Sequence, residues 1–235
     1  MKITIIIPVY NEEKTIEKIF LKILSLKLKK KQIIIIDDFS TDKTRKILKK
    51  KIFLKAEKII FHKKNLGKGA AIKSAQKYVT GDVVIIQDAD LEYNPNDYYK
   101  LLDPIINDNS EVVYGSRVMP GGIRVRPNSI DTYLRVLANN LLTFLSNLFN
   151  NQKLTDAHTC YKVFKKNLLK KIVLKENRFS FCPEFTAKIS RLGINIKEVP
   201  ISYEGRTHSQ GKKITFIDGL SAIYAIIKYN FFKSS

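Results

Sequence analysis

The sequence predicts an α/β domain in which a mostly parallel, doubly wound sheet is flanked by helices. Two observations carry this prediction: strands and amphipathic helices alternate through the first half of the chain, and the strands are almost wholly apolar. Parallel strands covered on both faces form continuous hydrophobic runs, whereas half-solvated strands alternate with polar residues. The 235 residues suffice for one such domain with a sizeable core.

The elements of the first half follow from this pattern. The predicted strands are Lys2–Pro8, Ile33–Ile36, Ala56–His62, Asp82–Gln87 and Glu111–Tyr114. The predicted helices end near Leu26, begin near Thr41, and cover Lys68–Val79 and Tyr98–Ile106. Asn11 is the expected N-cap of the first helix. Ligands of such sheets bind beyond the carboxyl ends of the strands, so polar residues there are the first candidates for a site.

The second half is less regular. Its predicted elements are a loop over Ser116–Asp131, helices over Thr132–Asn150 and Phe181–Leu192, a strand over Val199–Tyr203 and a basic loop over Gly205–Lys213. The stretch Ile214–Phe232 is apolar at helical spacing but contains Asp218 and Lys228. This pattern favours a helix that lies on the domain or at a membrane surface over one that spans a bilayer.

Composition narrows the function classes. The formal net charge of +20 suits a polyanionic partner, although lysines occur along the whole chain and a general bias explains the charge equally well. The basic residues are not interleaved with stacking aromatics, so no nucleic-acid partner is expected. Two cysteines, Cys160 and Cys182, predict no disulfide framework, and no basic-then-apolar leader is visible; both features favour a cytoplasmic protein.

Asp88-Ala89-Asp90 is the motif with most chemical meaning. It follows a buried strand, and two carboxylates separated by one residue can hold a divalent cation against a diphosphate. Such a cation stabilises charge that develops on a leaving diphosphate. Glu92 offers a third carboxylate. A pair of solvated acids in a turn is the alternative interpretation.

Other polar residues are weaker candidates. Gly67-Lys68-Gly69 allows a close backbone approach to a ligand and a lysine contact to phosphate, but a simple glycine turn before a helix is as consistent with it. Asp37 and Asp38 suit hydrogen bonds from a nucleobase or ribose, or else cap the following helix. The basic residues expected near an acceptor are Arg117, Arg124, Arg126, Arg135, Arg206, Lys212 and Lys213.

These segments, in this order, resemble the family 2 glycosyltransferases, whose fold class is called GT-A and has a Rossmann-like sheet. The resemblance rests on Ile5–Glu12, Ile36–Ser40, Gly67–Gly69, Gln87–Leu91 and Gly115–Arg117. More narrowly, the chain is similar to dolichyl- and polyprenyl-phosphate mannosyl- and glucosyltransferases. The narrower similarity rests on Leu154–Lys162, Pro183–Lys188 and Glu198–Arg206.

The resemblance implies an inverting hexosyltransferase that moves a hexose from GDP-mannose or UDP-glucose to a polyprenyl or dolichyl phosphate, with Mg²⁺ or Mn²⁺. With the motifs above, it gives three sets of expected site residues. Those expected to bind the donor are Pro8, Tyr10, Glu12, Asp38, Lys68, Asp88, Ala89 and Lys212. Those expected to ligate the metal are Asp88, Asp90 and Glu92. Those expected at the reacting centre are Asp90, Arg117, Asp156 and Arg206.

We therefore expect a single domain over residues 1–235. Its expected parts are a nucleotide-sugar-binding half (1–117), an acceptor-side half (118–213) and a C-terminal amphipathic helix (214–235). The basic loop and the apolar tail predict peripheral contact with an anionic membrane at its cytoplasmic face.

The acceptor decides whether a base is needed. A lipid phosphate is already ionised at neutral pH, whereas a glycan hydroxyl requires a general base, for which Asp156 and Glu184 are the candidates. A sugar nucleotidyltransferase is disfavoured, because Val9–Glu13 stands where a glycine-rich basic loop would be expected. The sequence leaves the sugar, the nucleotide and the oligomeric state open.

Overall fold

The computed structural model describes residues 1–125, 127–207, 211 and 216–232. The strands, in chain order, are β1 (Ile3–Val9), β2 (Lys31–Asp37), β3 (Lys58–Phe61), β4 (Val83–Ile86), β5 (Val112–Ser116), β6 (Arg124–Val125), β7 (Lys162–Lys165), β8 (Lys197–Pro200) and β9 (Tyr203–Glu204). The α-helices are α1 (Ile16–Ser25), α2 (Thr44–Leu48), α3 (Lys68–Gln76), α4 (Tyr98–Ile106), α5 (Ile130–Asn150), α6 (Leu168–Lys171), α7 (Phe181–Arg191) and α8 (Phe216–Phe231). Short 3₁₀ helices cover Lys51–Lys55 and Pro95–Asp97.

One seven-stranded sheet organises the domain, in the order β3-β2-β1-β4-β7-β5-β8. β7 pairs antiparallel with both of its neighbours, and the other strand pairs are parallel. The isoleucine-rich β1, β2 and β4 lie at the centre, where helices cover both faces and every apolar side chain except that of Pro8 is buried. The predicted α/β fold with a mostly parallel sheet is confirmed.

The carboxyl ends of β1, β2 and β4 meet at one edge of this sheet because these strands are parallel and in register. Residues that follow them in the chain are therefore neighbours in space. A second, two-stranded sheet of β6 and β9 lies beside that edge, linked to it by a bridge between Tyr93 and Tyr203. Both halves of the chain thus contribute to one crevice.

Three local predictions are wrong. Asn11 is not an N-cap: α1 begins at Ile16, and Asn11 adopts φ 49° while its Oδ1 accepts from the Thr41 backbone N–H, tying two strand-end loops together. The strand predicted over Val199–Tyr203 is split between β8 and β9. The strand β7 lies where no strand was predicted.

The second half adds helices to the sheet. α8 packs against α5 and α7, with Leu142, Ala222 and Ile226 forming a small apolar cluster between α5 and α8. Among the residues described, no helix is long and apolar enough to cross a membrane.

Candidate active site

Three carboxylates meet around one guanidinium at the carboxyl ends of β1 and β4. Arg206 lies 3.1 Å from Glu12 Oε2 and 3.1 Å from Asp90 Oδ2, and its Nε is 3.6 Å from Glu92 Oε1. Its backbone N–H also donates to Glu92 Oε1 at 2.9 Å. We call Glu12, Asp90, Glu92 and Arg206 the acidic cluster. It brings together residues from three distant parts of the chain. The strand ends predicted that Glu12 and Asp90 lie close together, but not that Arg206 lies between them.

Asp90 has the most perturbed carboxyl of this cluster. Burial raises its pKa, the negative charges of Asp88 and Glu92 raise it further, and Arg206 opposes them; the result is about 7. The side chain is nevertheless accessible, with an exposed fraction of 16%. A carboxyl with a raised pKa in an acidic, accessible crevice marks a place where more positive charge would be stabilising.

The donor set fits a hard divalent cation. Mg²⁺ in phosphate-binding sites takes one or two carboxylates and completes its shell with phosphate oxygens and water. Asp90 and its neighbour Asp88 supply such a pair. Among the side chains that are described, no group of three acidic, histidine or cysteine residues is assembled for a metal. The two carboxylates therefore suit a cation that also binds a diphosphate, and not a cation whose ligands all come from the protein.

Asp88 is paired with Lys68, so the glycine motif and the acidic motif meet. Lys68 Nζ lies 2.6 Å from Asp88 Oδ1 and 2.6 Å from Cys160 Sγ. Burial alone would lower the pKa of Lys68, but the Asp88 carboxylate outweighs it and the net pKa is raised. Lys68 is thus a fixed positive charge at the floor of the crevice. Cys160, by contrast, is kept as a thiol, because burial raises its pKa.

The glycines of this motif are explained by packing. A Cβ on Gly69 would lie 2.4 Å from the backbone oxygen of Glu176, and one on Gly67 would lie 2.6 Å from that of Asn177. Gly67 also adopts φ 98°, which disfavours other residues. The glycines therefore let residues 176–178 close over the start of α3.

Asp38 holds the same turn from the other side. Its carboxylate accepts from the backbone N–H groups of Leu66 and Gly67 at 2.9 and 2.7 Å, and from Asn65 Nδ2 at 3.0 Å. His62 Nδ1 is 2.7 Å away. These contacts orient the loop that carries Lys68, while a direct contact of Asp38 with a nucleoside stays a prediction.

A second charged group, formed by Arg117 and Asp156, lies at the end of β5. Arg117 donates from Nε and Nη2 to the two oxygens of Asp156, at 2.7 and 2.8 Å, and from its backbone N–H to Oδ2. Asn139 of α5 contacts both residues. Burial would raise the pKa of Asp156, but Arg117 and Asn139 overcome it and the pKa is lowered.

This geometry bears on the two candidate general bases. Asp156 is fully buried, and both of its oxygens are engaged by Arg117, which does not suit proton abstraction. Glu184 is also fully buried, with its oxygens occupied by the Lys175 and Glu176 backbone N–H groups and by Lys188. Asp156 instead orients the Arg117 guanidinium, and Glu184 binds the backbone of the loop that closes over the start of α3.

Tyr203 joins the two charged groups and was not predicted as a site residue. Its hydroxyl donates to Glu92 Oε2 at 2.9 Å, and the Arg117 guanidinium lies 5.3 Å from its ring centre. Asn139 and Cys160 were missed as well. All three owe their position to tertiary packing, and only the closeness of Tyr203 to Arg206 in the sequence offered a signal.

The remaining predicted residues divide by position. Pro8 lies in the central strand β1, one residue before its end, and Tyr10 follows the strand; both are half-buried. Ala89 is buried between the two acids of its motif. Arg124 is exposed in β6. Lys212, like Arg126 and Lys213, lies outside the described residues.

Comparison with known proteins gives a consistent picture. The family model described as glycosyl transferase family 2 matches residues 4–173. A UDP-N-acetylglucosamine–dolichyl-phosphate N-acetylglucosaminyltransferase of Methanococcus voltae is 30% identical over 244 residues, covering 96% of this chain and 94% of that protein. A dolichol-phosphate mannosyltransferase of Pyrococcus furiosus is 26% identical over 97% of this chain, which spans 64% of that longer protein.

Solved structures agree on the fold. Glucosyl-3-phosphoglycerate synthase from Mycobacterium tuberculosis, solved with Mn²⁺, uridine diphosphate and glucosyl-3-phosphoglycerate, has a TM-score of 0.74 and 18% identity. The match covers 97% of this chain and 80% of that one. The family match over most of the chain, together with the strand-end site, shows that the chain belongs to glycosyl transferase family 2.

Proposed function

We propose that this enzyme transfers a hexose or N-acetylhexosamine from a nucleoside diphosphate sugar to a polyprenyl phosphate, with inversion at the anomeric carbon. The acidic cluster is the observation that carries this proposal. Its three carboxylates lie within 3.6 Å of the Arg206 guanidinium, the side chain of Asp90 stays accessible, and the cluster lies at the strand ends where α/β enzymes bind nucleotides. The printed names of the Methanococcus and Pyrococcus relatives support the lipid-phosphate acceptor and leave the choice of sugar and nucleotide open.

Asp90 and Asp88 would hold a Mg²⁺ or Mn²⁺ ion at the diphosphate, with Glu92 as a further carboxylate beside them. The structural neighbour solved with Mn²⁺ and uridine diphosphate supports this choice of metal. Such an ion would neutralise charge on the leaving diphosphate. Lys68 adds a fixed positive charge at the same place.

The donor's nucleoside would lie against Pro8, Tyr10, Glu12 and Asp38, beside Ala89. These residues follow β1, β2 and β4, and the loop fixed by Asp38 carries Lys68 toward Asp88. Lys212 stays a proposed phosphate contact. In this assignment residues 1–117 bind the donor and residues 118–213 bind the acceptor. A C-terminal helix lies within residues 214–235.

The acceptor phosphate would be positioned by Arg117 and Arg206. In the reaction, a phosphate oxygen forms a bond to the anomeric carbon while the bond from that carbon to the diphosphate oxygen breaks, and the electron pair leaves with the nucleoside diphosphate. A lipid phosphate needs no proton removed, so the lack of an available base in Asp156 and Glu184 favours it over a glycan hydroxyl. The enzyme's work is alignment and charge stabilisation.

Calorimetric titration tests the donor site. We would titrate the protein with GDP, UDP, GDP-mannose, UDP-glucose and UDP-N-acetylglucosamine, each with Mg²⁺ and with EDTA. The expected result is metal-dependent binding of one nucleotide class, lost in Asp90→Asn and retained in Asp108→Asn, which changes an exposed acid after α4. Binding of none of the five ligands would refute the proposal.

Transfer to a lipid tests the acceptor. The nucleotide that binds would be supplied as its radiolabelled sugar donor, with a short-chain prenyl phosphate or a matched prenyl alcohol. Label in the prenyl phosphate product and none with the alcohol is the expected outcome. If the enzyme binds the donor but transfers label to neither prenyl compound, the acceptor belongs to another class.

A further inference from the structure

The residues that close over the start of α3 are bound by three helices. We call residues 175–178 the cover loop. From α3, the Ala70 backbone N–H donates to the Asn177 carbonyl at 2.9 Å. An amide in the first turn of a helix has no acceptor within that helix, so the loop supplies the missing partner. The glycines on either side of Lys68 leave room for this approach, because a Cβ on either would overlap the loop backbone. The cover loop therefore forms one wall of the turn that carries Lys68.

The helix α7 binds the cover loop through a buried carboxylate. Glu184 is fully buried and accepts from the backbone N–H groups of Lys175 and Glu176 at 2.6 and 2.9 Å. Its Oε1 also accepts from Lys188 Nζ at 2.7 Å. These bonds fix the backbone of the loop, while the Glu176 side chain extends to the third helix, α8.

The helix α8 binds the loop through that side chain. Glu176 Oε1 accepts from Lys228 Nζ at 2.9 Å and from the Tyr229 hydroxyl at 2.8 Å. Burial would raise the pKa of Glu176, but these two donors outweigh it, and the pKa is lowered. The Tyr229 ring is fully buried, with Ala187 and the Lys188 ammonium of α7 beside it. The charged Glu176 carboxylate is therefore bound to a well-packed part of α8.

We propose that Glu176 is a positioning residue for the donor diphosphate, because it couples the packing of α8 to the placement of Lys68. The contacts are continuous. The Glu176 side chain binds α8, and the backbone of the cover loop binds the first turn of α3. Lys68 in that turn lies 2.6 Å from Asp88 at the floor of the crevice. The role of Lys68 at the diphosphate rests on the proposed function, whereas the coupling of α8 to the Lys68 turn rests on these contacts alone.

The turn needs such support because of its glycines. Gly67 adopts φ 98°, and a glycine turn has little conformational preference of its own, so its neighbours must order it. Asp38 binds the turn from one side and the cover loop binds it from the other. Removing one of the two supports lowers the fraction of molecules in which Lys68 is in place. The apparent affinity for a ligand that needs Lys68 falls in the same proportion.

Calorimetric titration with GDP and UDP in the presence of Mn²⁺ tests this effect. Glu176→Met removes the acceptor, and Tyr229→Phe removes one donor. Tyr224→Phe is the matched control, since it removes a hydroxyl from an exposed side chain of the same helix and keeps the ring. For the nucleotide that wild type binds, we expect the dissociation constant to rise at least about fivefold in Glu176→Met and about twofold in Tyr229→Phe. The control should match wild type, and Glu176→Gln, which keeps an acceptor oxygen, should bind more tightly than Glu176→Met.

A second measurement separates positioning from a general loss of structure. In a Lys68→Met background, Glu176→Met should cause no further loss of affinity, because the charge that Glu176 positions is already gone. A structural defect would instead weaken binding by the same factor in both backgrounds. Circular dichroism and thermal melts confirm that each variant folds. Wild-type affinity in Glu176→Met, or an equal loss in both backgrounds, would overturn the proposal.

Hydrogen–deuterium exchange of the unliganded protein tests the coupling without any donor. The amides of residues 66–72 should exchange at least about threefold faster in Glu176→Met than in wild type, and at the wild-type rate in Tyr224→Phe. Unchanged exchange in Glu176→Met would overturn the coupling itself. If wild type binds neither nucleotide and the exchange difference is present, the proposed function fails while the coupling of α8 to the Lys68 turn stands.

Discussion

Two arginines bind carboxylates in this molecule, under opposite balances of charge. Arg117 faces Asp156 in a bidentate pair at 2.7 and 2.8 Å, and the carboxylate is fully buried. Arg206 faces three carboxylates at 3.1 to 3.6 Å, and its side chain keeps 17% of its surface exposed. The first arrangement pairs one carboxylate with one guanidinium, whereas the second brings three carboxylates to one guanidinium.

The two arrangements shift the pKa values of their carboxyl groups in opposite directions. The pKa of Asp156 is lowered despite burial, because Arg117 and Asn139 stabilise its charge, while the pKa of Asp90 is raised to about 7 by burial and neighbouring acids. A saturated pair holds structure in place. A crevice in which several carboxylates share one guanidinium is suited to accept a metal cation together with an anionic ligand.

Asp156→Asn breaks the balanced pair, and we expect the largest effect from it. The substitution leaves the Arg117 guanidinium buried without its counter-charge, which costs about 3 to 5 kcal/mol in the free energy of unfolding. Urea denaturation monitored by circular dichroism measures this loss. Asp108→Asn, at an exposed acid, is the control and is expected to change stability by less than about 0.5 kcal/mol. A loss below about 1 kcal/mol in Asp156→Asn would show that the pair is not structural.

Arg206→Met removes the cation of the unbalanced cluster, and we expect a smaller loss of stability, on the order of 1 kcal/mol. Asp90 keeps 16% of its side chain exposed and can take up a proton, which limits the charge that the substitution leaves unbalanced. The same variant should gain more thermal stability from added Mn²⁺ than wild type does, since the metal supplies the missing charge. Differential scanning fluorimetry with Mn²⁺ and with EDTA measures both effects. Equal stabilisation of the two proteins by Mn²⁺ would contradict the excess of negative charge.

The sequence predicted the strands and strand-end acids of residues 1–117 well, and for a physical reason. Runs of buried isoleucine and valine fill the centres of β1, β2 and β4 because both faces of the sheet are covered, so the polar residues that follow these runs mark the strand ends in the sequence. The acids that follow then fall at one edge of a parallel sheet. Asp88 and Asp90 were therefore predictable as neighbours of Glu12, although no local pattern showed that Arg206 would lie between them.

The second half was predicted less well because tertiary contacts override its local pattern. β7 has lysine at both ends, and Lys162 is buried only because the Ala157 and Thr159 carbonyls accept its hydrogen bonds and the Tyr114 ring lies 3.7 Å away. For α5, periodicity gave the amphipathic helix but not which face turns inward. That choice depends on hydrogen bonds to residues 154–157, which no local rule reveals.

The pH dependence of metal binding separates the two arrangements further. A carboxyl must lose its proton to ligate a metal, so affinity for Mn²⁺ should be constant above pH 7 and fall as the pH drops below the pKa of Asp90. The loss approaches tenfold per pH unit for one displaced proton, or about 1.4 kcal/mol. Titration followed by electron paramagnetic resonance at pH 6, 7 and 8 measures it. Asp90→Asn should show weak binding without this dependence, and a wild type whose affinity is unchanged at pH 6 would exclude Asp90 as the titrating ligand.

Tyr203→Phe gives the smallest effect, and it tests whether the two groups act separately. The variant loses the hydroxyl that donates to Glu92, worth about 1 kcal/mol, but keeps the ring that faces Arg117. Double-mutant cycles on the free energy of unfolding should therefore give a coupling of at least about 0.5 kcal/mol with Arg206→Met, because both residues contact Glu92. With Asp156→Asn, the coupling should stay within about 0.3 kcal/mol. Strong coupling in both cycles would mean that the saturated pair and the acidic cluster form one network.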